Sequence, residues 1–173
     1  FVGDLSHWYI RRSRRRFSDP RNKKDFESAS GTLVYVLGEF CKIAAPFSPF
    51  ISEAIYVSLF GEKLSVHLAD WPEHGGKIDN ALIAEINEAR GIASRALALR
   101  AEAGIKVRQP LRRLRIKNQE SRMKGNNEML EMLKDEVNIK EIVFDSKIEK
   151  EIELDTEITP ELYKEGVVRE FVR

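Results

Sequence analysis

The sequence carries a single cysteine, Cys41, in 173 residues, so no disulfide framework can staple it, and a reducing compartment suits it. No apolar run approaches the roughly 20 residues that cross a bilayer, and no signal peptide opens the chain. Three histidines, His7, His67 and His74, are scattered without metal-ligand spacing. There is no glycine-rich phosphate loop, no Gly-x-Ser-x-Gly and no internal repeat. The carboxylates from Glu149 to Asp155 alternate along one stretch, which a solvated strand edge explains. No catalytic constellation remains.

Charge is what the sequence has in an uneven supply. The net charge of +1 conceals 22 Lys and Arg against 14 Asp and Glu over residues 1–125, and 7 against 14 over residues 126–173. One portion is basic and the other acidic, which implies a directional surface. The basic signal is densest at Leu5-Ser-His-Trp-Tyr-Ile-Arg-Arg-Ser-Arg-Arg-Arg-Phe17. On a helix at about 100° per residue, Phe1, Val2, Leu5, Trp8 and Tyr9 share the face expected to bury. Arg11 and Arg14 fall away from it and Arg15 flanks it. Arg12 and Arg16 lie on the apolar face, where an unpaired cation costs several kcal/mol, so either carboxylates meet them or the face opens onto something anionic. A solvated helix end with snorkelling stems accounts for any single arginine. For the cluster, with Arg21, Lys23 and Lys24 extending it, a polyanion partner is the better account.

The remaining periodicity predicts a mainly α chain: an antiparallel helical bundle over residues 1–104, then a small α+β unit over 105–173. The opening helix stops near Phe17 at Ser18-Asp19-Pro20. A helix over 25–45 is apolar on nearly all sides in its later part, 33–45, as expected at a bundle centre, with Gly38 allowing a close crossing. Ser48 and Pro49 fit an N-cap and first helical position. Trp71, before Pro72, is expected to plug the core. A long helix over 79–103 carries Leu82, Ile86, Ala89, Ala93, Ala96 and Leu97 at helical spacing and stops at Gly104. Arg90, Arg95 and Arg100 step around it as surface charges. Leu114 and Ile116 then point inward from a strand whose outer row is Arg113, Arg115 and Lys117. A polar loop over 118–126, a helix over 128–137, strands over 139–144 and 148–154, and a helix capped by Thr159-Pro160, with Leu162, Val167 and Phe171 as its apolar residues, complete a β-α-β-β-α order.

Four segments carry a resemblance. The Leu5–Phe17 helix is similar to one in the anticodon-binding bundle of isoleucyl-tRNA synthetases, where Trp usually follows the Phe and Ser18 stands here. Gly104-Ile-Lys-Val-Arg-Gln-Pro-Leu111 resembles the junction of the same family, and Ala45-Pro-Phe-Ser-Pro-Phe-Ile-Ser-Glu53 resembles the hinge of class Ia synthetases. Pro160-Glu-Leu-Tyr-Lys-Glu-Gly-Val-Val-Arg-Glu-Phe-Val-Arg173 is similar to a further segment of the isoleucyl family. The resemblance implies an RNA-reading portion excised from a longer, cytoplasmic enzyme that joins isoleucine to its tRNA. It implies no cofactor here, with ATP and Mg belonging to the full enzyme, whose adenylation signatures are absent from this sequence. The implied partners are isoleucine tRNA and the remaining domains of the synthetase, with no membrane. Candidate tRNA contacts are Arg11, Arg12, Arg14, Arg15, Arg16, Lys23, Lys24, Arg108, Arg113, Arg115 and Lys117. The alternatives are the anticodon domain of a valyl or leucyl relative, and a helical module that binds an acidic protein.

Overall fold

Apolar residues recurring at helical spacing form helices through the first half of the chain, and the strands begin only after Gly104. The computed structural model describes residues 1–19, 21–73, 76, 78–117, 121 and 123–171. Contacts divide the chain into two units, Phe1–Gly76 and Lys77–Arg173.

In the first unit the opening helix has three parts: α1 (Val2–Asp4), a π-helical turn (Leu5–Ile10) and α2 (Arg11–Ser18). Ser18 Oγ donates to the Arg14 carbonyl at 2.9 Å, closing the last turn. The expected breaker at Pro20 lies outside the described residues. Helix α3 (Lys23–Ala44) starts on Asn22, whose side chain accepts from the Asp25 amide. It runs back along the opening helix, and α4 (Pro49–Phe60) packs on its later half. Gly38 is buried there because the Phe60 ring lies where a Cβ would stand. Cys41, Ala45 and Val66 form a small core with Ile55 and Tyr56.

Two expectations for this unit need correction. Helix α3 is not enclosed: its partners among the described residues are the opening helix, α4 and a short 3-10 turn, Val66–Leu68, so Tyr35 and Ile43 stay exposed. Trp71 plugs no core and is 62% exposed. Val66 fills that place instead, held by its amide and the Ser65 hydroxyl, both of which donate to Glu53 Oε2. Ser48 and Pro49 take the expected cap and first positions of α4; Ser48 makes no side-chain capping bond, and Pro49 leaves one fewer amide to cap.

In the second unit α5 (Asn80–Glu102) is capped by Asp79, which accepts from the Leu82 amide at 2.9 Å. Gly104 at φ +67° ends the segment in a conformation that suits glycine. Then follow β1 (Leu111–Ile116), α6 (Asn127–Val137), β2 (Ile139–Phe144), β3 (Ile152–Leu154) and α7 (Pro160–Phe171). The sheet order is β2-β1-β3, with β1 and β2 parallel across the α6 crossover and β3 antiparallel to β1. The α+β order is as the sequence predicts. Ala89, Ile92, Ala93 and Ala96 are buried, and α5 packs on α6 and β3, so this helix belongs with the sheet by contact. The sequence pattern places the boundary after that helix, at Gly104, because the grammar changes there.

The strand expected from Ile148 is shorter. Strand β1 ends at Ile116, opposite Ile152, and among the described residues the pairing continues only through the Lys117 amide, which donates to the Glu151 carbonyl at 2.9 Å. Of the apolar residues on α7, Leu162 is buried but Phe171 is exposed, lying beyond the buried Leu162–Gly166 stripe. Residues 118–120 and 122 of the polar loop lie outside the described residues, as does His74.

Candidate nucleic-acid interface

The arginine run separates by face as the helical wheel predicts. Arg11, Arg14 and Arg15 are exposed, whereas Arg12 and Arg16 are half-buried. Arg16 finds the carboxylate its position calls for: its Nε and a terminal nitrogen reach Asp25 Oδ1, each at 2.8 Å. Tyr9 Oη donates to the Ala29 carbonyl at 2.9 Å, fixing the middle of the helix to α3. Arg11 Nε donates to the His7 carbonyl at 2.8 Å, so its stem lies along the helix. Arg14 and Arg15 have no side-chain partner among the described residues. Arg15 and Arg16 sit in the last turn of α2, where the helix dipole favours cations.

Two parts of the expected buried face behave differently. Leu5, Trp8 and Tyr9 are half-buried, but Phe1 and Val2 are exposed, Phe1 being held by a stack on the Phe40 ring at 4.8 Å. The π-helical turn, which breaks the uniform 100° step, was not legible in the sequence.

The other cations of this unit extend the patch in a graded way. Lys23 and Lys24 are exposed on the first turn of α3, and Lys23 lies 3.7 Å from Glu27. Arg21 is occupied: it donates from backbone and side chain to Asp19, which holds that carboxyl below its ordinary pKa.

The second unit disposes of its cations in two ways. Arg108 is exposed. The outer row of β1 faces carboxylates and carbonyls on its neighbours: Arg113 donates to Glu141 at 2.8 Å, Arg115 lies 3.7 Å from Glu153, and Lys117 donates to the Glu149 carbonyl at 3.1 Å. Register explains this, since Arg113 stands opposite Glu141 and Arg115 opposite Glu153. Of the alternating acids, Glu153 is thus a partner of the basic row and Glu151 of Arg95, so the stretch is not merely a solvated edge.

Arg100 is the residue that sequence reasoning misplaced. It is fully buried and donates to four carbonyls, those of Val137 (2.9 Å), Asn138 (3.0 Å), Gln109 (2.6 Å) and Lys106 (3.4 Å). Burial lowers its pKa from the ordinary guanidinium value. Two of the carbonyls close the C-terminal end of α6, where partial negative charge collects. Arg95, by contrast, is exposed and 3.6 Å from Glu151.

Among the described residues no group of His, Cys, Asp and Glu could hold a metal ion, and no helix is long and apolar enough to cross a membrane. The geometry offers a pinned helix with cations on its open side. Comparison with known proteins points the same way. The chain is 41% identical over 150 residues to an isoleucine–tRNA ligase of Chlamydia trachomatis, a match covering 85% of this chain and 14% of that protein. It is 41% identical over 150 residues to that of Protochlamydia amoebophila (84% and 14%), and 40% identical over 147 residues to that of Chlamydia caviae (83% and 14%). The chain thus spans about 14% of the length of these curated relatives. The family model described as the anticodon-binding domain of tRNA ligase matches residues 1–116, and the chain belongs to that family.

Proposed function

We propose that this chain is the tRNA-binding, anticodon-recognising portion of an isoleucyl-tRNA synthetase. The observation that carries the reading is the opening helix: pinned to α3 through Tyr9 and Arg16, it leaves Arg11, Arg14 and Arg15 exposed. An anticodon loop presents unstacked bases and a phosphate backbone. Guanidinium groups can stack on the former and grip the latter bidentately. Lys23 and Lys24 extend the same surface as point charges, and Arg12 and Arg16 support it from the packed side. Arg108 is a further candidate contact. The outer row of β1 comes after these, because its cations must first give up their partners on the neighbouring strands.

In this reading isoleucine activation, with its ATP and Mg, belongs to the rest of a cytoplasmic enzyme, and the chain by itself catalyses no pyrophosphate exchange. Residues 105–173 serve as the junction to that remainder. The acidic balance of residues 126–173 repels RNA and favours packing on protein.

The test is a salt titration of isoleucine tRNA binding to the wild-type chain and to the Arg14→Ala/Arg15→Ala variant. Two charge-assisted contacts at about 1.5 kcal/mol each predict binding roughly a hundredfold weaker. Competition with valine and leucine tRNAs decides the specificity. Equal affinity for an acidic protein and for tRNA would instead favour a protein-interaction module.

A further inference from the structure

Three anchors tie the opening helix to α3, and they run antiparallel along it. The Phe1 ring stacks on Phe40, Tyr9 bonds Ala29, and Arg16 meets Asp25. An unbroken α-helix cannot make all three. At about 100° per residue, Tyr9 and Arg16 lie about 20° apart around the axis, but Phe1 and Tyr9 lie about 80° apart. The π-helical turn Leu5–Ile10 begins after Phe1 and takes in Tyr9. It absorbs one extra residue, about 100° of rotation, and so returns Phe1 to the face shared by Tyr9 and Arg16.

We propose that this wide turn sets the phase of the arginine run, and that Arg11 is the positioning residue that locks it. The Arg11 amide is directed to the Ser6 and Trp8 carbonyls and passes over His7 O, the acceptor an α-helix would use. Arg11 supplies the substitute from its own side chain, with Nε donating to His7 O at 2.8 Å. One residue thus bridges the break with both amide and guanidinium. Anchored at both ends, the helix holds Arg14 and Arg15 in one orientation, which reduces the ordering cost of meeting an anionic backbone. The consequence for RNA rests on the proposed function, whereas the clamp is a property of the fold alone.

Arginine Nε–H exchange, followed by nitrogen NMR on the unaltered chain, tests the clamp directly. The Nε protons of Arg11 and Arg16 are expected to exchange about tenfold more slowly than those of Arg14 and Arg15. Exchange at Arg11 as fast as at Arg14 overturns the clamp. Arg11→Lys keeps the charge but loses the Nε donor, and should melt about 4 °C lower than wild type. The drop should vanish when Ser6 is deleted, because a regular helix passes over no carbonyl; an equal drop in both backgrounds also overturns it. Binding of isoleucine tRNA to Arg11→Lys should weaken about tenfold with an unchanged salt slope. Unchanged affinity overturns the phase-setting role. A wild-type chain that binds no tRNA defeats the proposed function instead, and the exchange and melting results still decide the clamp.

Discussion

The Arg100 guanidinium donates to the Gln109 carbonyl at 2.6 Å, joining the end of α5 to the segment that leads into β1. Its other acceptors, Val137 O and Asn138 O, bring in the end of α6. A buried cation is tolerated here without a carboxylate because four carbonyl dipoles surround it.

Arg100→Met should therefore destabilise the second unit although it removes a buried charge. The Val137 and Gln109 carbonyls would lose this donor, at a cost of about 3 kcal/mol, while those of Lys106 and Asn138 keep backbone amides. Arg100→Lys should recover little, since an ammonium cannot span acceptors spread around a planar fork. Urea unfolding of the three proteins measures this. A loss below about 0.5 kcal/mol for Met, the range of ordinary surface changes, would contradict the buried role.

A second contact joins the Arg-Gln-Pro-Leu segment to α7. Gln109 Nε2 donates to the Leu162 carbonyl at 2.7 Å, and its carboxamide occupies the space where a Cβ on Gly166 would stand. Gly166→Ala should cost about 1–3 kcal/mol by overpacking, despite the better helix propensity of alanine. Adding Gln109→Ala should return part of the loss, because the obstructing group is gone. Additive losses in a double-mutant cycle would show that the two side chains do not compete for this space.

Much of this was legible from the residues, for identifiable reasons. Arg16 could be assigned a carboxylate because it sits on an apolar face, and Asp25 supplies it. Gly38 could be read as a close crossing, and the Phe60 ring lies against it. Arg100 shows where the reading stopped short. It continues the stripe Ala89, Ala93, Ala96 at spacings of four, three and four, the spacing of a buried helix face. Residue type outweighed position there. Trp71 is the converse case: an aromatic just before a proline suggests a core plug, yet it is exposed. The π-helical turn left no mark in composition, since its cause is the joint demand of Phe1, Tyr9 and Arg16 on one partner helix.

Acid sensitivity should centre on Glu165. Lys140 hydrogen-bonds it at 2.7 Å and Arg169 lies 2.8 Å away, and Lys140 foremost holds its carboxyl below the ordinary value. A depressed folded-state pKa contributes stability above the unfolded value, about 4.3 for Glu. That contribution disappears as pH falls through the lower folded-state value. Glu165→Gln should therefore lower the melting temperature at pH 7 and make no difference at pH 2. A constant offset across that range would rule out this linkage.

The strand cations provide the sharpest contrast with the opening helix. Arg113 and Arg115 stand in register with Glu141 and Glu153, so a phosphate would have to displace a carboxylate that the fold itself supplies. Arg14 and Arg15 have no such competitor among the described residues. Removing one cation that neutralises a phosphate should flatten the slope of log affinity against log salt by about 0.7 for a single strand. Arg14→Ala/Arg15→Ala should then lower the slope by about 1.4, with little change in melting. Arg113→Gln/Arg115→Gln should leave the slope nearly unchanged and lower stability by about 1 kcal/mol or less, as partly exposed ion pairs do. The two variants therefore trade signatures, one losing RNA and the other losing a little stability. A larger slope change in the strand variant would move the RNA-binding surface to the sheet.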